Sequence, residues 1–248
     1  MRAQLRSELL KQRSTRTNLG LFAAMLGLVS LAVLLHGLGL AAEQLGSASD
    51  QLMVLGRGEF LAALFAALLG TMSITAEIRH GTIRPTFLVS PGRGRVVAAK
   101  VWASTLIGAG FGLAACALAA GIGIAALRLR GIDVQLDGGD YALLVAGGAA
   151  AAALWAAIGV GIGAVVRSQV PTVVGVAAWL LFVEGLLVGD VAGVANVGRF
   201  APGALGMAAS GQDPDTLVAP AVGFVLLALY AVAAAAAGWV ATTHRDVV

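Results

Sequence analysis

The chain has 248 residues, of which 59% are hydrophobic and 12% charged, and its mean hydropathy is +0.91. Soluble domains carry about a quarter charged residues, so this composition excludes a soluble globule and favours lipid as the solvent. The net charge of +3 does not indicate nucleic acid as a partner, because no basic-aromatic surface pattern accompanies it.

The N-terminal stretch at residues 2–17, "RAQLRSELLKQRSTRT", places leucines between basic side chains. This pattern predicts a short amphipathic helix within residues 1–18, lying on the inner leaflet with its cations among anionic headgroups. The alternative is a solvated basic tail that only sets the orientation of the chain.

Long apolar stretches follow, each near the length of about 20 residues that crosses a bilayer as a helix. They are expected to be helices because unpaired backbone groups are too costly in lipid. The first stretch is longer than the apolar core of a signal peptide, so it is interpreted as a retained anchor. The six predicted spans are 19–42, 56–75, 101–127, 141–166, 171–188 and 219–241.

The basic residues predict the orientation of these spans. With the N-terminus in the cytoplasm, the outer loops hold only four of the 16 lysines and arginines. The positive-inside rule therefore predicts a multi-pass protein of the cell inner (plasma) membrane with both termini cytoplasmic. The four outer residues are Arg57, Arg128, Arg130 and Arg199.

Two further features of the sequence are one long outer loop and pairs of glycines within the spans. The last outer loop, 189–218, has an apolar middle that predicts re-entrant or interfacial helices, the alternative being disorder. Glycines four residues apart are typical of close helix packing in membranes rather than of a dinucleotide site. These pairs are Gly108 and Gly112, Gly159 and Gly163, and Gly185 and Gly189.

Sequence motifs for catalysis are absent. The chain has no P-loop, no H-E-x-x-H and no G-x-S-x-G, and its single cysteine, Cys116, rules out a multi-thiolate metal site. We therefore expect no enzyme activity, metal or cofactor in this chain itself. Glu184, within the fifth predicted span, is a candidate substrate, proton or cation contact. Arg57 and Glu59 are predicted to anchor the second span at the outer surface.

The charged segment, residues 76–100, joins the second and third spans. Gly81 permits a sharp turn, Thr82 can cap a helix and Pro85 is tolerated in its first turn. A short helix is predicted over Ile83–Ser90, with Ile83, Phe87 and Leu88 on one side. These residues alone leave two interpretations equally open. One is a helix that docks into a groove of another protein, and the other is an ordinary basic loop among headgroups.

The pattern E-x-R-x-G-T-x-R-P followed by P-x-R-x-R-x-x-x-x-K, Glu77 to Lys100, resembles the cytoplasmic loop of ABC-2-type transporter permeases, above all actinobacterial ones. The opening "SELLKQRSTRT" is similar to that of the same permeases. The resemblance implies an all-α ABC-2 (type V exporter-like) fold and a dimer with a second copy or a paralogue. It also implies two separately encoded ATPases that hold ATP and Mg, with a coupling helix in this segment.

By the match, the coupling residues fall into three groups. They shape the start of the coupling helix, engage the ATPase groove, or fix the return to the membrane. In that order they are Glu77, Arg79, Gly81 and Thr82; Arg84, Phe87 and Leu88; and Pro91, Arg93, Arg95 and Lys100.

The expected function is therefore a permease that exports a small amphipathic molecule, a lipid or a peptide. Two alternatives stay open. One is an ion-coupled secondary transporter that uses Glu184. The other is a membrane scaffold that recruits a cytoplasmic protein without transport.

Overall fold

A computed structural model describes residues 2–83, 85–86, 92–188 and 195–244, and this part of the chain is helical with no strand. A 3₁₀ turn lies at Ala42–Leu45 and a π-helical turn at Trp179–Val183. The α-helices are α1 Arg2–Ser14, α2 Arg16–Gly39, α3 Ala48–Leu55, α4 Arg57–Arg79, α5 Arg93–Leu129, α6 Gly138–Val166, α7 Gln169–Ala178, α8 Glu184–Val188, α9 Ala195–Gly198, α10 Pro202–Ala209 and α11 Pro220–His244.

Within these described ranges, six helical segments are long and apolar enough to cross a membrane, as predicted. They are α2, the continuous pair α3–α4, α5, α6, the run from α7 into α8, and α11. Two of them extend well beyond the predicted apolar spans, since α4 continues to Arg79 and α5 begins at Arg93. These extensions carry charged residues that find ion partners inside the protein, so the helices do not end where the apolar stretches end.

Helices α4 and α6 form the centre of the bundle and approach each other through glycines. A Cβ atom added at Gly159 would lie 2.2 Å from the carbonyl oxygen of Ala67, and one at Gly70 would lie 2.1 Å from that of Ala156. Neither position has room for even a methyl group. Close packing is confirmed for the predicted glycine pairs 108/112 and 159/163, which contact neighbouring helices. The prediction is wrong for Gly185, because a Cβ atom added there would meet nothing within 4 Å.

The outer helices of the bundle are largely uncovered. Only 17% of the most apolar stretch of α2 is buried, and the value is 22% for the fifth span and for α11. In the second and fourth spans, 72% of that stretch is buried. Leu35, Phe182 and Val232 are among their exposed side chains. Such faces need lipid or another helical protein to cover them.

The two ends of the bundle carry different elements. At one end, called the terminal end, Arg167 donates to the carbonyl of Ala241 at 2.9 Å, and Gly94 of α5 lies against the Trp239 indole. At the opposite end, called the loop end, Arg130 donates to the carbonyl of Gly37 at 2.7 Å. Helix α1, through Glu8 and Lys100, and the last turns of α11 therefore lie at the terminal end, which the positive-inside rule predicts to be cytoplasmic.

The last outer loop forms helices at the loop end. Helix α10 packs between α6 and α11, with Leu205 fully buried. The alternative of a disordered loop is wrong for α9 and α10, while residues 189–194 lie outside the described part of the chain. The small residues of α10 let it fit among the larger helices.

Candidate functional site

A buried lysine organises the terminal end of the bundle. Lys100 of α5 is only 1% exposed. Its Nζ lies 2.8 Å from Glu8 Oε2 of α1 and 2.8 Å from Glu77 Oε1 of α4, and it donates to the carbonyl of Ser73 at 3.0 Å. All three donor positions of the ammonium group are thus used, as a buried charge requires.

A second lysine bridges the same two carboxylates. Lys11 Nζ lies 2.7 Å from Glu8 Oε1 and 3.0 Å from Glu77 Oε1. The four side chains, here called the ion-pair cluster, carry two positive and two negative charges. They tie α1 to both helices that flank the charged segment.

The pKa shifts of Glu8 and Lys11 favour their ionised forms. Burial acts to raise the pKa of Glu8, but Lys100 and Lys11 outweigh it, so the pKa lies below its usual value. Burial acts to lower the pKa of Lys11, but hydrogen bonds and charges from Glu8 and Glu77 raise it overall. Next to the cluster, Gln12 Nε2 donates to Ser104 Oγ at 2.8 Å and adds a neutral tie between α1 and α5.

This pairing corrects two expectations. Lys100 was predicted to lead back to the lipid surface, but it is buried among carboxylates from two other helices. Glu8 and Lys11 were predicted only as part of an interfacial helix, and the structure makes them partners of Glu77 and Lys100. The sequence does contain a signal for this pairing, because two acids and two lysines occur in segments that are all predicted on one side of the membrane.

The rest of the charged segment is described in part. Gly81 adopts φ +69°, the left-handed conformation that a sharp turn after α4 requires. Thr82 Oγ1 donates to the carbonyl of Glu77 at 3.4 Å. Ile83 is buried against Ile74 and Ala164, so its predicted place on an exposed docking face is wrong. Four of the predicted coupling residues lie outside the described part of the chain, namely Arg84, Phe87, Leu88 and Pro91.

Among the described cations of the segment, Arg79 and Arg95 make contacts outside the cluster. Arg79 NH1 donates to Gln169 Oε1 at 3.2 Å, next to the start of α7. Arg93 and Arg95 lie in the first turn of α5, and the Arg95 side chain folds over Gly92. Of the predicted coupling residues, the structure therefore brings Glu77 and Lys100 together, while Arg79 contacts the start of α7.

A polar cavity of about 420 Å³ lies beside the cluster, between α1 and the beginning of the charged segment. Its lining includes Thr15, Asn18, Ser73 and Thr82 as well as Glu77. No group of three or more metal-ligating side chains occurs in the described ranges. The arrangement thus holds α1, α4 and α5 together beside an open space.

Glu184, the predicted ion contact, is held by the chain itself. It is 6% exposed and accepts hydrogen bonds from the indole N–H of Trp179 and from the backbone N–H groups of Gly203 and Ala204. The last two are free donors of the first turn of α10, so Glu184 caps that helix and lies at the positive end of its dipole.

The predicted position of Glu59 is wrong. It was expected at the outer surface, but it is 2% exposed, and Gln212 Nε2 approaches its Oε2 at 3.4 Å. The helix of the last outer loop covers it, because Gly206 of α10 lies over its other carboxyl oxygen. A prediction from span boundaries alone could not include that cover.

No protein-family model matches this chain, and no curated protein matches it. The resemblance of residues 77–100 to ABC-2-type permeases therefore stays a prediction. The geometry at the terminal end is the observation on which a function can be argued.

Proposed function

We propose that this chain is the permease subunit of an ABC-2-type exporter and that a separately encoded ATPase moves it through the charged segment. The observation that carries this proposal is the ion-pair cluster, which joins α1 to both helices adjoining that segment. A push on the segment would then displace α1, α4 and α5 together. Charge pairs in a low-dielectric interior resist being pulled apart, which favours such concerted movement.

The partners follow from the same proposal. Two ATPase subunits would supply ATP and Mg, and the exposed faces of α2 and the fifth span would meet a second copy or a paralogue. The cargo would be a small amphipathic molecule, a lipid or a peptide, because the spans are built of apolar, small residues. Movement of α1, α4 and α5 as one unit, relative to the second copy, would open its path toward the loop end.

The experiment purifies the chain with the ATPase encoded beside its gene, wild type or with Phe87→Asp. Phe87 is the apolar residue of the segment that the resemblance assigns to the ATPase groove. Loss of an aromatic interface anchor costs about 2 kcal/mol, so we expect about 30-fold weaker binding and loss of stimulated ATP hydrolysis. Leu129→Asp, at an exposed position of the loop end, is the matched control. Unchanged binding and hydrolysis with Phe87→Asp would refute the coupling role.

An ion-coupled secondary transporter is the second candidate, because Glu184 is a buried acid within a span. Its hydrogen bonds to Trp179 and α10 favour a capping role instead. We expect proteoliposomes of the chain alone to show the same proton and sodium flux, measured with ion-sensitive dyes, for wild type and Glu184→Gln. A gradient-driven flux that disappears with Glu184→Gln would favour the secondary transporter.

A further inference from the structure

Helix α1 packs against the bundle through polar side chains. Its only buried residues are Glu8 and Gln12, each 5% exposed. Leu5 and Leu9 are half-buried and Leu10 is 60% exposed, so no leucine of this helix enters the core. Burial of an apolar face, which stabilises most packed helices, is therefore largely missing from this contact.

The contact between α1 and the bundle is also loosely filled. Besides the polar cavity of about 420 Å³, an open space of about 460 Å³ lies between α1 and the first turns of α5, and Glu8 and Lys11 line both. Two buried oxygens at the contact, Gln12 Oε1 and Glu77 Oε2, accept no hydrogen bond from the described residues. Unfilled space and unpaired acceptors both lower the free energy that docking of α1 gains.

The ion-pair cluster divides naturally into two neutral pairs. Glu8 and Lys11 pair within α1 at 2.7 Å, and Glu77 and Lys100 pair between α4 and α5 at 2.8 Å. Undocking of α1 would break only the two bonds that cross between these pairs, Glu8 to Lys100 and Lys11 to Glu77. Neither side would keep a charge without a partner, which is what makes the loss of one member of a buried ion pair so costly.

A hinge for such a movement lies at Thr15. This residue stands alone between the end of α1 at Ser14 and the start of α2 at Arg16. Its backbone is extended, with φ −77° and ψ 120°. Helix α1 can therefore swing about this residue without unwinding α2.

We propose that α1 docks reversibly on α4 and α5 and that the ion-pair cluster separates, on undocking, into the pairs Glu8–Lys11 and Glu77–Lys100. While it is docked, α1 moves with α4 and α5. Once it is undocked, those two helices move without it. Undocking needs neither an ATPase nor a cargo, so it is independent of the exporter proposal.

The first test is hydrogen–deuterium exchange of the purified chain in detergent, read by mass spectrometry. Amides of residues 2–14 should exchange by local opening, independently of the bundle centre. Gly159→Ala loosens the contact between α4 and α6 and should speed exchange there by about 5- to 150-fold. Exchange of residues 2–14 should not change in this variant. Equal acceleration in α1 would show that α1 opens only when the whole bundle unfolds, which would overturn the proposal.

The second test exchanges charges across the contact. Glu8→Lys with Lys11→Glu keeps the α1 pair neutral but sets like charges opposite Lys100 and Glu77. We expect exchange of residues 2–14 to rise by about 10- to 100-fold. Glu77→Lys with Lys100→Glu should have the same effect from the other side.

All four substitutions together restore attraction across the contact and should return the exchange of α1 toward the wild-type rate. This variant has the same α1 sequence as the first exchange, so a change in helix propensity cannot explain the recovery. Unchanged exchange in both double variants, or no recovery in the fourfold variant, would contradict docking through the crossed pairs.

Thermal unfolding followed by circular dichroism completes the test. Because each pair stays neutral in both double variants, their melting temperatures should remain near that of the wild type. A large fall, or failure of either double variant to fold, would show that the two pairs are not independent and would refute reversible docking.

Discussion

Replacing Lys100 with Met is expected to destabilise the protein by about 3–5 kcal/mol, because it leaves two carboxylates facing each other in a buried site. Lys11 is 44% exposed at its side chain and can offset only part of that charge. For a chain of this size the melting temperature should fall by about 6–20 °C. Thermal unfolding of the purified chain in detergent, followed by circular dichroism, measures this directly.

The control for Lys100→Met is Arg6→Met on the exposed face of α1, which should change the melting temperature little. Adding Glu8→Gln to Lys100→Met leaves a neutral pair of Lys11 and Glu77 and should recover part of the loss. If Lys100→Met melts like the wild type, the cluster does not hold α1, α4 and α5 together.

The substitution Gly159→Ala is expected to have the second large effect on stability. Its Cβ would lie 2.2 Å from the backbone oxygen of Ala67, so α4 and α6 must separate at the centre of the bundle. Overpacking of this kind costs about 1–3 kcal/mol, which corresponds to a fall of about 2–12 °C in the melting temperature.

Gly175→Ala is the matched control for Gly159→Ala because its Cβ meets nothing within 4 Å. Alanine is a better helix former than glycine by about 0.5–1 kcal/mol, so this variant should melt slightly higher than the wild type. The two substitutions are therefore expected to have opposite signs in the same melting assay. Equal effects of both would show that helix propensity, rather than contact between α4 and α6, governs these sites.

The number of spans and their glycine contacts could be predicted because both depend on local patterns. An apolar stretch near 20 residues implies a helix in lipid, and Gly159 lies four residues from Gly163 on one helix face. Neither inference requires knowing which helices are neighbours in space.

The pairing of charges could not be predicted in the same way. Glu8 and Lys100 are 92 residues apart, and only the packing of α1 against α5 makes them partners. Glu59 was placed at the outer surface because it follows a predicted span boundary, yet α10, from a loop more than 140 residues later, covers it. Contacts of this range depend on tertiary packing, which no pattern within one segment contains.

The long separation between Glu8 and Lys100 also bears on how the protein is made. At a synthesis rate of about 5–20 residues per second, α1 leaves the ribosome roughly 5–20 s before its partner lysine. Glu77 is made 66 residues after Lys11, so until then Lys11 can pair only with Glu8 of its own helix. The N-terminal helix is thus made first and docks late. We therefore expect a bulky fusion placed before Arg2 to interfere with assembly at this step.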